Sequence, residues 1–137
     1  MIIDGKNLIL GRLATYAAKQ ALLGQKVDII NCEEVAITGN RANILAFYHR
    51  KKTMGTWAKG PFWPRRPDMF VRKTIRGMLP YKQAKGRVAF KRIMCYVGSP
   101  ENIKGKAETL KFASVDKLPN LKFRYVKEIC GELGWQR

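Results

Sequence analysis

The chain has 137 residues, enough for one domain with a hydrophobic core and too few for two ordinary ones. Its 27 lysines and arginines against 10 acids leave a formal charge of +17, which repels itself in isolation and implies a polyanionic partner, nucleic acid first. No apolar run approaches the roughly 18 residues of a membrane span, and the opening Met-Ile-Ile meets Asp4 and Gly5 at once, unlike a signal sequence, so an intracellular protein is expected.

In chain order, the apolar run Met1 to Ile3 reads as a first strand. Leu10, Leu13, Ala14, Ala17, Ala21 and Leu22 then recur at helical spacing, and Gly24 supplies a stop. In KVDIINC, Val27, Ile29 and Ile30 suit a buried strand. Two strands joined by a helix of this length imply a right-handed parallel crossover. The run Val35 to Ile37 leads to Thr38, the predicted N-cap of a helix from about Gly39 to Lys52. There Ile44, Leu45 and Tyr48 face the core, while Arg50, Lys51 and Lys52 charge the far end and complement the helix dipole.

From Thr53 to Pro67 the periodicity dissolves into an irregular loop. Asp68 is the predicted N-cap of the next helix, whose apolar stripe is Val71, Ile75, Met78 and Leu79, with Arg72, Lys73 and Arg76 off it. Pro80 begins another short helix, weakened by Gly86, with Ala84 and Val88 inward and Lys85 and Arg92 outside. Ile93 to Val97 is the last strand candidate, closed by Gly98, Ser99 and Pro100. Residues 101–120 read as an extended connection, followed by a final helix in which Leu121, Tyr125, Ile129 and Leu133 repeat every four before Gly134. The expected organisation is a single domain, 1–137, with a basic segment at 50–92 and a C-terminal extension at 101–137.

The charge is segregated. Residues 50–92 hold 14 basic residues and one acid, a net +13, against +1 for residues 1–49 and +3 for residues 93–137. A solvated face mixes signs, so this segment is expected to meet phosphate, with lysine as a mobile point charge and arginine as a planar fork. Its cations are Arg50, Lys51, Lys52, Lys59, Arg65, Arg66, Arg72, Lys73, Arg76, Lys82, Lys85, Arg87, Lys91 and Arg92. Trp57, Phe62 and Trp63 sit among them, where they either stack on unpaired bases or plug the loop onto the domain. RNA is favoured over DNA, because the cations are split between a loop and short helix ends with no major-groove motif. At Gly11 to Ala14, GRLA opens a helix where Arg12 and the backbone amides suit a phosphate, without Walker or dinucleotide spacing.

Little supports catalysis. Asp4, Asp28, Glu33 and Glu34 are the nearest approach to a carboxylate cluster, yet Asp4 is explained by its turn with Gly5 and Asp28 by the exposed side of a strand. His49 is the single histidine and has no legible nucleophile beside it. Cys32, Cys95 and Cys130 stand far apart without metal spacing and read as small buried hydrophobes in a reducing compartment. Neither a metal nor another cofactor is expected.

Three segments together resemble one family: DGKNLILGRLATYAAKQALLGQKVDIINCEEVAITGN, KGPFWPRRPDMFVRKTIRGMLPYK and GRVAFKRIMCYVGSP are similar to the large-subunit ribosomal protein L13 family. RKTIRGMLPYK, Arg72 to Lys82, is the most specific part. The short lead, the lack of an HPH element after Gly98 and the closing GELGW resemble the archaeal and eukaryotic branch. The resemblance implies a three-layer α/β/α domain with a four-stranded, mainly parallel sheet, to which the residues add a basic loop and a C-terminal helix. It implies no enzyme and no small-molecule substrate, but binding of large-subunit ribosomal RNA early in subunit assembly. Neighbouring ribosomal proteins and a place in the cytoplasmic ribosome follow from the same likeness. Two other classes stay open on the residues alone: a nucleic-acid-processing enzyme using the scattered acids, and a basic partner of acidic proteins or anionic membrane surfaces.

Overall fold

The computed structural model describes residues 1–101, 103 and 105–136, so the predicted connection 101–120 is described apart from Asn102 and Lys104. Strand β1 (Ile2–Asp4) leads into helix α1 (Leu10–Leu22) and back to strand β2 (Val27–Ile30), which pairs parallel to β1 with Ile3 opposite Ile29. Helix α1 forms because Leu10, Leu13, Ala14, Ala17, Ala18 and Ala21 fall on one buried face, and it stops where Gly24 takes a φ of +101°. The alanines on that face let helix α3 (Pro67–Met78) pack closely against it.

Strand β3 (Ala36–Thr38) follows a 3-10 turn at Cys32–Glu34 and leads to helix α2 (Arg41–Thr53). Helix α4 (Ala84–Lys91) precedes strand β4 (Ile93–Cys95), which pairs parallel to β2 on the side away from β1, with Ile29 opposite Cys95. Strand β5 (Phe123–Tyr125) and helix α5 (Val126–Glu132) complete the chain. The fold is thus mixed α/β around a parallel sheet, in the order β1-β2-β4. Val27, Ile29, Ile3 and Ile93 are fully buried in it beside Phe70, Val71 and Ile75 of α3.

The expected four-stranded sheet is corrected to three strands among the described residues. Asn31, left-handed at φ 54°, and the 3-10 turn swing the chain out of the sheet, so β3 instead pairs antiparallel with β5, Ile37 opposite Arg124. Among the described residues, the outer edge of β1 is met by a one-residue bridge, Ile3 to Glu108.

Several element boundaries also differ from expectation. Asn40, not Thr38, caps α2, its side chain accepting from the Ala42 amide at 3.3 Å, because Thr38 is committed to β3. Met78 is exposed and Phe70 takes the core position beside Val71 and Ile75. In α4 Gly86 and Ala89 face inward, whereas Ala84 and Val88 are exposed. The final helix is shorter than its repeat suggested: Leu121 is 79% exposed and Tyr125 belongs to β5, because pairing with β3 outcompetes helix there.

All three cysteines are free and buried. A hydrogen bond with Cys95 and burial push the Cys32 thiol well up, and burial, with the nearby Asp68 charge, pushes Cys130 up to about 12. Burial likewise raises the Tyr48 phenol.

Candidate nucleic-acid interface

The basic segment folds so that α3 presents three successive cations, each seated on an aromatic ring. Arg72 lies 4.6 Å from the Phe90 ring centre, Lys73 4.2 Å from Trp63 and Arg76 4.0 Å from Tyr81. The supporting rings are themselves braced, Tyr81 edge-on to Phe90 at 5.4 Å and Trp63 against Tyr48 and Phe70 at 5.6 and 5.8 Å. Such contacts contribute about 0.5–2 kcal/mol each and narrow the rotamers a cation must surrender on binding. Lys73 also donates to the Phe62 carbonyl at 2.7 Å, which ties the loop to α3. Burial, then the Arg76 and Lys51 charges, lower the Lys73 pKa, so this ammonium favours a site where an anion offsets its neighbours.

Among the described residues only Arg66 of the segment's 14 cations has a carboxylate within ion-pair distance. That carboxylate is Asp68, held by Nε at 3.2 Å and a terminal guanidinium nitrogen at 2.8 Å. The expected N-cap role of Asp68 is corrected: Arg66 occupies the N-cap, with no side-chain cap bond, and Pro67 is the first helical residue. Asp68 lies one position further in, where its charge still meets the positive end of the helix and its oxygens go to the guanidinium.

The two tryptophans separate. Trp57 is 93% exposed, whereas Trp63 is half-buried and plugs the loop onto the core. The remaining predicted cations divide as well. Arg50, Lys59, Arg65, Lys82, Lys85 and Lys91 are exposed, and Lys51 lies over the Phe47 ring at 5.4 Å. Lys52 donates to the Leu133 carbonyl at the end of α5, Arg92 to Ala21 in the last turn of α1, and Arg87 to Lys82 within its own neighbourhood. Lys52 and Arg92 therefore also serve as helix-end partners. Arg12 stands elsewhere, donating to the Phe112 carbonyl at 3.2 Å. Tyr81 and Phe90 are absent from the sequence-based site, since no local spacing ties them to Arg76 and Arg72.

The scattered acids are taken up by separate local contacts, although Asp28 Oδ1 is buried without a hydrogen-bond partner among the described residues. Asp4 accepts from the Asn31 side chain at 2.9 Å and the Lys6 amide at 3.0 Å, and both Glu33 oxygens meet the Gly98 amide at 3.0 Å. Glu34 faces Lys6 and Asp28 faces Lys26. The Asp28 side chain is 13% exposed rather than on an open strand face, because β2 is the central strand. Among the described residues no group of three or more His, Cys, Asp or Glu side chains is arranged to hold a metal ion, and no helix is long and apolar enough to cross a membrane.

The class of protein that fold and site define is a small α/β domain with a strongly electropositive face, on which few cations have a carboxylate partner among the described residues. The family model for ribosomal protein L13 matches residues 1–102. Relatives named large ribosomal subunit protein uL13 include one from Methanocaldococcus jannaschii, 44% identical over 137 residues, covering 97% of this chain and 96% of the relative. That from Methanopyrus kandleri is 41% identical over 138 residues (98% and 87%), and that from Natronomonas pharaonis 38% over 134 (98% and 90%). The chain belongs to the ribosomal protein L13 family, a family of structural proteins and not of enzymes, in its archaeal form.

Proposed function

We propose that this chain is a structural constituent of the large ribosomal subunit that binds and stabilises its ribosomal RNA and acts early in subunit assembly. The observation that carries this reading is the row Arg72, Lys73 and Arg76, preset on aromatic rings within a segment in which, among the described residues, only Arg66 has a carboxylate partner. Phosphate supplies the missing counter-charge, and counterion release supplies the affinity. The working organisation is one domain, with the RNA-facing segment at 50–92 and a C-terminal extension at 101–137, placed beside neighbouring ribosomal proteins in the cytoplasmic ribosome. The three-layer α/β/α arrangement is part of this proposed reading; α1 packs against both α3 and α4.

The test is binding to large-subunit ribosomal RNA across a salt series. About eight phosphate contacts give a slope of about −6 to −7 in log affinity against log salt. Replacing Arg65, Arg66, Arg72 and Arg76 with alanine should flatten it by about 3. An unchanged slope would remove this face from the interface.

A further inference from the structure

Between the loop and helices α3 and α4 lies a slot of about 360 Å³, within the range of small-ligand pockets. Phe62 and Trp63 of the loop, Met69, Arg72 and Arg76 of α3, and Phe90 of α4 line it. Its surface is largely apolar, its charge is entirely positive, and no acidic side chain lines it among the described residues. A second hollow of about 540 Å³ adjoins it, shares Lys73 and Arg76, and is bordered by Tyr81 and Lys82.

We propose that the slot receives a single unpaired RNA base, extruded from its own stack, while Lys73 and Arg76 at the divide hold the adjoining phosphates. This rests on the RNA-binding reading and goes beyond it by naming the element recognised. A regular duplex offers only phosphates and ribose to such a surface, since its bases are stacked inside and its major groove is too narrow to read. Cations alone would suffice for that. A recess walled by Phe62, Met69 and Phe90 adds nothing to phosphate binding, but it suits the two faces of a base. Arg76 is stacked on Tyr81 by one face at 4.0 Å and is otherwise exposed, so its opposite face is available for a base to stack on. Trp63 and Arg72, which line the slot, each carry a buried side-chain donor, Nε1 and Nε, without a partner among the described residues.

The experiment compares three RNA hairpins of equal length and nearly equal charge, binding to the full chain: one with a single bulged adenosine, one with an abasic nucleotide at the bulge, and one fully paired. The bulged adenosine should bind about tenfold more tightly than the other two, the contribution of one stacked base. Phe62 is 69% and Met69 48% exposed, so Phe62→Ala and Met69→Ala leave the core intact. Each should bring the adenosine hairpin to the level of the abasic one, with the salt slope and the affinity for the paired hairpin unchanged. Equal affinity for all three hairpins, at a steep salt slope, overturns the slot and leaves the RNA-binding reading standing. A preference for adenosine that survives both substitutions also overturns it. Failure to bind any hairpin in a salt-dependent way overturns both. Displacement of the adenosine hairpin by polyglutamate, but not by a bulged competitor RNA, would assign the slot to an acidic peptide and likewise overturn the proposal.

Discussion

Gly86 lies so close beneath Pro80 that a Cβ added to it would come 2.1 Å from the Pro80 carbonyl oxygen. This approach folds the Met-Leu-Pro turn onto α4, and with it sets Tyr81 beneath Arg76. Gly86→Ala should therefore destabilise despite alanine's better helix propensity, by about 1–3 kcal/mol, as overpacking does. Gly77, with nothing within 4 Å of its Cβ position, is the control: Gly77→Ala in α3 should be neutral or stabilising by up to about 1 kcal/mol. Thermal or denaturant unfolding of the two variants reads the difference.

Trp63 and Trp57 should part in the same measurement. Trp63 packs on Tyr48 and Phe70, so Trp63→Ala opens space at the edge of the core and should cost about 2–4 kcal/mol. Trp57 is nearly fully exposed, so Trp57→Ala should change stability by less than about 0.5 kcal/mol.

Asp68 interacts through its charge with Arg66 and the start of α3 rather than through a cap bond. Asparagine and alanine both remove that charge. Asp68→Asn and Asp68→Ala are therefore expected to lose stability alike, by about 0.5–1 kcal/mol each. A neutral asparagine beside a damaging alanine in equilibrium unfolding would instead restore the capping role.

Alkaline pH should destabilise the fold. Cys130 rises from an ordinary 9.0 to about 12, so between those values the unfolded chain has released a proton that the folded one keeps. Stability is then full below about pH 9 and falls by about 1.4 kcal/mol per pH unit for this group above it. Cys32 and Tyr48, also raised, act in the same direction, while Lys73, lowered, gains stability as pH rises toward its ordinary 10.5. Cys130→Ala should flatten the fall in unfolding free energy measured from pH 9 to pH 11.

The parallel β1-α1-β2 start is legible in the sequence because its apolar residues are local and periodic, and short connections leave the chain few ways to bury them. The excess of positive charge is legible for a simpler reason: no fold can neutralise 27 cations with 10 acids, and 14 of those cations lie within residues 50–92. Those features, with RKTIRGMLPYK, suffice for the family. Tertiary structure decided the rest. Residues 123–125 have helix spacing with Ile129, yet they become a strand because β3, 87 positions earlier at Ile37 and Arg124, offers unpaired backbone. Phe90 reaches Arg72 only after the Met-Leu-Pro turn reverses the chain, and only that reversal converts a count of cations into an aimed row above an aromatic slot. Trp57 and Trp63, equivalent as letters, take opposite surroundings because Tyr48 and Phe70 come from two different helices to receive one of them. Local pattern set the elements and the charge; burial between distant segments set where each side chain points.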